Sequence, residues 1–571
     1  MASVRSSVGN RVVMLALALA LAGCGPRPDE GPDAGSAVEL HSALGDFLAA
    51  RMAQRNGDNK TAADLYVSAL AFDPDNLDLM QRAFALMVAE GKVDEASPLA
   101  ERLVSLDSDS PLPGLVLGIH AARAENYAEA GKRFAALPRR GVNAFLAPLL
   151  VAWAEAGEGQ TDAALAQLGV LTQNAGLKPL HAFHSGLIND LAGRSGLAEE
   201  QYKLALEGGQ LNIRTVEAAG SLFQRTGQPD RAKELYGRYL AEHPDTLLFD
   251  GGLLLKAGET APRAVVNAKS GLAEALFDVA SLMRQSNAAD HALMFARLAI
   301  FLQPDFPLAQ MTAADILSSQ GRPADANAIY HSINRDSPVH AFGRLKVAMN
   351  LDEMGDGAAA EAELTKLAGE RPESIDALVT MGDIQRRHRD FAAAAKSYSA
   401  AIARLKDDSP GFWALYYSRG IALERSKQWP KAEADFKKSL EMRPDQPDVL
   451  NYLGYSWIDQ GINLAEGRRM IEKAVELRPN DGAIVDSLGW ALYRMGDHQG
   501  AVKALERAIE LKPEDATINE HLGDAYWRVD RQDEARDQWR RALQLDPEPE
   551  QLEPLKAKVE SGELSDKPLE K

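Results

Sequence analysis

His181 and His184, three residues apart in the run HAFH, are the nearest this 571-residue chain comes to a pair that could share a ligand. On one helix face two imidazoles could hold a metal or pass a proton, but no third ligand lies near them in sequence, so they read as ordinary helix histidines. The one cysteine, Cys24, excludes a disulfide within the chain and any cysteine–metal cluster. No G-x-S-x-G, H-E-x-x-H or phosphate-cradling glycine loop is present. Carboxylates are abundant, but they fall on faces expected to meet solvent. A net charge of −19 lacks the basic stripe that nucleic-acid recognition needs. The residues therefore point away from an enzyme, a cofactor or a metal and toward a surface that recognises other molecules.

What positions such a surface is a repeat. Residues from Ala483 to Pro513 align without a gap on those from Thr517 to Pro547. Gly489 and Gly523, Ala501 and Ala535, Ala508 and Ala542, and Pro513 and Pro547 all stand 34 residues apart. Glycine and alanine at fixed places allow two helices to approach closely. Tyr526 and Trp539 are large enough to fill the space between neighbouring hairpins. Proline ends the second helix by removing a donor and clashing with the preceding turn. One hairpin cannot bury its apolar face alone, so copies must stack.

This pattern (Leu522-Gly523-x2-Tyr526, Ala535-x3-Trp539, Pro547) resembles the tetratricopeptide repeat. The resemblance implies an all-α right-handed solenoid of helix–turn–helix units, about fourteen in two arrays. Ala62, Ala96, Ala130, Ala164, Ala198 and Ala232 step by 34 and mark six units over residues 39–244. The phase breaks across 245–270, which reads as an irregular joint. Eight further units are expected over 271–550, marked first by Ala292, Ala326, Ala360 and Ala394, then by Gly420, Gly454, Gly489 and Gly523 after a small insertion near Lys406–Ser409. Residues 551–571 read as a capping helix and tail.

In this family the first helix of each hairpin lines a concave groove that holds a peptide or a partner helix. Carried onto this chain, the groove positions are Tyr417, Asn451, Tyr455, Asp486, Trp490, Tyr493, Glu520 and Trp527, with Arg425, Arg494 and Arg528 one residue beyond. Tyrosine, tryptophan and arginine are enriched at binding hot spots. The lysine–asparagine clamp that some members of that family use for a terminal carboxylate is not assembled, and an aromatic groove with arginine edges could still take a mainly apolar peptide.

The start of the chain sets its address. Arg5 and Arg11 precede the apolar run Val12–Ala22, which has the length of an export signal and is too short to span a membrane. It ends in Leu21-Ala22-Gly23-Cys24, which resembles a bacterial lipobox, so residues 1–23 read as a cleaved signal and Cys24 as the lipidation site. Gly25 follows where an inner-membrane retention signal would have aspartate, implying the outer membrane and a body facing the periplasm. Residues 24–38 are rich in proline, glycine and acid and read as a tether. The whole resembles repeat lipoproteins of Gram-negative bacteria, some of which are adaptors for carboxyl-terminal processing proteases. The expectation is a lipid-anchored scaffold binding proteins or peptides. The alternative is an assembly factor for an envelope machine such as a pilus or secretin, a polysaccharide exporter or a cell-wall synthase.

Overall fold

A computed structural model describes residues 42–106, 111–207, 211–243, 261–405 and 409–564. The export signal, Cys24, the tether and most of the joint, residues 245–260, lie outside them, as does most of the small insertion, 406–408. The described residues are helical hairpins in series, and none of their helices is long and apolar enough to cross a membrane.

Six hairpins come first. They are α1 and α2 (Ala43–Arg55, Asn59–Phe72), α3 and α4 (Leu77–Ala89, Val93–Leu106), and α5 and α6 (Pro111–Arg123, Tyr127–Ala135). Then follow α7 and α8 (Asn143–Gly157, Thr161–Leu168), α9 and α10 (Lys178–Leu191, Ser195–Leu206), and α11 and α12 (Ile213–Arg225, Pro229–Glu242). Beyond the break in phase stand α13 and α14 (Ala268–Gln285, Ala289–Leu302), α15 and α16 (Pro307–Ser319, Pro323–Ser332), and α17 and α18 (His340–Glu353, Gly357–Glu370). The series ends with α19 and α20 (Asp376–Arg387, Phe391–Ile402), α21 and α22 (Trp413–Arg425, Trp429–Met442), α23 and α24 (Pro447–Asp459, Leu464–Leu477), α25 and α26 (Gly482–Arg494, His498–Leu511), α27 and α28 (Ala516–Arg528, Gln532–Gln544) and a closing helix, α29 (Pro549–Ser561).

The repeat residues do what their sizes require. Ala501, Ala508, Ala535 and Ala542 are wholly buried, as is Trp539. A Cβ on Gly489 would lie 2.5 Å from Leu505, and one on Gly523 2.5 Å from Trp539, so neither position tolerates a side chain. The fold is thus an all-α solenoid of tetratricopeptide-type hairpins.

One departure changes the architecture. The break in phase does not separate two independent arrays, because α13 and α14 turn back into the first one. Outside its own hairpin α13 packs on α7 and α9, while α14 packs on α3 and α5 as well as on the following α15. α3, α5, α7 and α9 are all first helices of their hairpins, the helices that line the inner wall. The hairpin expected to open the second array is therefore lodged in the groove of the first, and one hydrophobic core runs from Ala50 to Val347. α13 is buried on every face, from Ala268 through Leu272, Leu276 and Ala280, as a helix surrounded by others must be.

Candidate binding groove

Two inner walls must be compared. In the first array the wall carries Leu115, Ile119, Leu149, Trp153, Phe183 and Leu187, all buried. Trp153 lies against Gly271 of α13 and donates from Nε1 to His184 Nδ1 at 3.0 Å. His184 is wholly buried, and its Nε2 meets Asp278 of α13 at 2.9 Å. With Nδ1 accepting from the indole, the proton sits on Nε2 and is donated to the carboxylate. His184 is thus no ordinary helix histidine but a link between the wall and its occupant, whereas His181 is half-buried and has its pKa lowered by that burial and by His184.

Charges lock the same hairpin. Arg214 of α11 reaches Glu274 of α13 through Nη2 at 2.7 Å and Nε at 3.0 Å, and also pairs with Glu217. Burial alone would lower the Arg214 pKa, but the charges of Glu274 and Glu217 more than reverse it. Ser221 donates to the Pro262 carbonyl, fixing the strand of chain that leads into α13. At the other end Arg123 stacks over Phe301 of α14 at 4.1 Å, and beyond the hairpin Arg322, in the turn before α16, grips Glu90 after α3 with two bonds of 2.7 Å. The first groove is full.

The second wall, from α21 to α27, has no such occupant among the described residues. Tyr417, Asn451, Tyr455, Trp490 and Tyr493 are half-buried there, and Arg425 is exposed over Phe391 at 5.1 Å. The three tyrosines are neutral. Burial, then the charge of Asp448, pushes Tyr417 up to about 12. Burial likewise raises Tyr455 and Tyr493. Neither Trp490 Nε1 nor Asn451 Oδ1 has a hydrogen-bond partner within the described chain. One donor and one acceptor are thus buried without a partner in adjacent repeats, with Tyr455 between them in sequence.

Other expected groove residues are corrected. Asp486 is buried and holds His521 at 3.0 Å. Glu520 is buried and accepts from Lys558 of α29 at 2.8 Å. The neighbouring hairpin and the closing helix supply their counter-charges. Trp527 packs on Trp539 with ring centres 5.5 Å apart, under Arg536, and serves the end of the array. Arg494 is tied to Asp459 at 3.2 Å, and Arg528 points at the Tyr493 hydroxyl at 3.4 Å, so both lie at the rim. Sequence reasoning missed Asp524, His521 and Lys558, which complete this network. Asp524 takes Lys558 Nζ at 2.8 Å and Trp539 Nε1 at 2.8 Å.

His521 gives the groove a pH dependence. Burial alone would lower its pKa, but Asp486, helped by Glu520 and Asp524, raises it above 6.5, and Trp490 stacks on the ring at 4.1 Å. A histidine raised in the folded state contributes stability that is fully present below its unfolded pKa and is lost as pH rises through the folded one. The C-terminal hairpins should therefore weaken from about pH 6.5 upward. His521→Gln should flatten that fall. Urea midpoints between slightly acid and mildly alkaline pH, followed by tryptophan fluorescence, would read it. Equal slopes in the two proteins would remove His521 from the account.

Comparison with known proteins agrees with the hairpin series. Family models described as tetratricopeptide repeat match residues 379–447 and 487–548, residues 53–116 and residues 218–246. A TPR repeat-containing protein of Pseudomonas aeruginosa is 38% identical over 82 residues, an alignment that spans 14% of this chain and 14% of that one. Among solved structures, the chain is similar to the APC/C heterotetramer Cut9–Hcn1 at 15% identity and a TM-score of 0.37, covering 92% of this chain and 96% of that one. Yeast Tom70 is similar at 14% identity and a TM-score of 0.34, covering 91% and 95%. At these scores the likenesses carry nothing about binding. The tetratricopeptide repeat is thus recognised by sequence at both ends of the chain and between them, and the described chain folds as that repeat's helical hairpin.

Proposed function

We propose that the protein is a lipid-anchored periplasmic scaffold that holds a partner protein or peptide on the wall formed by α21, α23 and α25, and that it delivers substrates to a processing protease. The observation that carries the binding part is the contrast between the two grooves: the first holds the chain's own hairpin, while the second leaves Tyr417, Tyr455, Trp490 and Tyr493 half-buried and Arg425 exposed. An extended peptide suits that wall. Its apolar side chains lie on the exposed parts of the aromatic rings. The anchor and the compartment rest on the Cys24 sequence context, and the protease role rests on resemblance.

The test is affinity purification from envelopes with mass spectrometry, using the lipidated protein and a Tyr455→Ala/Trp490→Ala form. The captured partner should bind about thirtyfold more weakly to the substituted groove, from about 2 kcal/mol for truncating an aromatic anchor. A soluble protease and its substrates in the capture favour the adaptor. Subunits of a membrane complex favour the assembly factor instead. Undiminished capture by the substituted protein would remove the groove from the proposal.

A further inference from the structure

We propose that α1 is itself a membrane-contacting helix, lying in the interface of an anionic bilayer through Leu44, Leu48 and Met52. The proposal rests on the lipoprotein reading for its geometry, and it stands on four observations.

The first is the stripe. Leu44, Leu48 and Met52 recur every four residues along one side of α1 and are 68%, 54% and 67% exposed. The opposite side carries Asp46 and Ala50, buried against α2, where Asp46 accepts from Ser68 at 2.6 Å. The second is the contrast between the two ends of the solenoid. A repeat array needs a polar outer face at its ends. The far end has one, since α29 turns Glu553 and Glu560 outward. The near end turns three large apolar side chains outward instead. The third is charge. In a chain of net charge −19, the exposed charges of α1 are Arg51 and Arg55, and in the turn that follows, Asp58 is offset by Lys60. Its one acid, Asp46, faces inward. An apolar stripe with arginines beside it is the composition of a helix that lies flat in the headgroup layer of anionic lipid. The fourth is position. Leu44 stands 20 residues after Cys24, so an acylated Cys24 would hold this stripe within reach of the bilayer at high effective concentration. Three side chains bind a membrane weakly alone, and a helix that already has a lipid beside it needs no more.

The stripe then has a consequence for the scaffold: the first array rests against the membrane with its own groove filled, and the second projects from it.

The experiment has two arms. In the first, Leu48→Cys in the lipidated full chain is labelled with an environment-sensitive nitrobenzoxadiazole dye and placed in vesicles of phosphatidylethanolamine with a minority of phosphatidylglycerol. The dye should shift to the blue and be quenched by nitroxide-bearing lipid, whereas the same dye at Leu197→Cys, exposed on α10, should not. In the second, the soluble chain beginning after Cys24 is sedimented with the same vesicles. Its weak partitioning should fall roughly tenfold in a Leu44→Ser/Leu48→Ser/Met52→Ser form. If Cys24 proves not to be lipidated, the second arm still reads the stripe, and a tenfold fall upholds it. A dye signal unchanged by vesicles in the lipidated chain overturns the proposal. So does a stripe-dependent dimer in sedimentation velocity, which makes a second copy the occupant. So does a dye already blue-shifted in the soluble chain and released by deleting residues 25–41, which makes that segment the occupant.

Discussion

Replacing Gly271 by leucine is expected to drive α13 out of the first groove and to unfold the N-terminal half of the molecule well before the C-terminal half. A Cβ at that position would lie 2.2 Å from the Trp153 ring. The ring has nowhere to go, because Trp153 is wholly buried and its Nε1 is tied to His184 at 3.0 Å. Overpacking a core costs about 1–3 kcal/mol where neighbours can shift, and a fixed indole puts this site at or above the top of that range. The loss spreads because the core from Ala50 to Val347 is continuous. Gly369→Ala is the control, since a Cβ there meets nothing within 4 Å and α18 should gain about 0.5–1 kcal/mol from the lost chain entropy. Urea unfolding and limited proteolysis of the N-terminal half would check both. A Gly271→Leu protein with the wild-type midpoint would mean that the groove is not packed as described.

That filled groove marks the boundary of what could be read from the sequence. The hairpins were legible because Gly489, Gly523, Ala501 and Ala535 repeat at a fixed spacing, and each is buried where a larger side chain would collide. Their spacing is local physics and needs no knowledge of the rest of the chain. The occupant of the first groove is non-local. Glu274 meets Arg214 across 60 residues and Asp278 meets His184 across 94, and nothing in a periodic pattern pairs them. A clue was nonetheless present. The groove positions of α5, α7 and α9 are aliphatic or aromatic (Leu115, Ile119, Leu149, Trp153), whereas those of the second array include Asn451, Asp486 and Glu520. A wall of that first kind has to be covered by something.

The candidate site divides in the same way. Tyr417, Asn451, Tyr455, Trp490 and Tyr493 are half-buried on α21, α23 and α25. Asp486 and Glu520 are buried instead, and the reason lies one period further on. Asp524 and Lys558 are 34 residues apart and bonded, as are Thr517 and Gln551, so α29 continues the repeat's phase as half a unit. Carrying the spacing one step past Pro547 would have placed a lysine opposite the acids. His521, by contrast, sits two residues before the repeat's glycine, where no groove position is expected, and its pairing with Asp486 is visible only in three dimensions.

The largest effect after Gly271 should come from Arg214. The side chain of Glu274 is 2% exposed and that of Arg214 14%, so the pair lies almost out of water. Arg214→Ala leaves Glu274 and Glu217 together without a counter-charge. Burial already raises the Glu217 pKa against the pull of Arg214. Removing one partner of a buried pair costs about 3–5 kcal/mol, most of it the penalty of the stranded charge. Removing the whole set need not. Arg214→Met with Glu274→Leu and Glu217→Gln should recover most of the loss, because apolar groups of similar volume carry no desolvation cost. The cycle separates two accounts of why α13 stays in its groove. If packing against Trp153 and Leu149 holds it, the triple variant keeps a midpoint near wild type and the single variant alone is crippled. If the ion pair holds it, both fall together, and hydrogen exchange in α13 rises in the triple variant as it does in Arg214→Ala. The buried face of α13, with Leu272, Leu276 and Ala280 wholly enclosed, favours packing as the source of stability. Glu274 and Asp278 then fix the register in which the helix seats, since a slip of one turn would leave either Arg214 or His184 without a carboxylate.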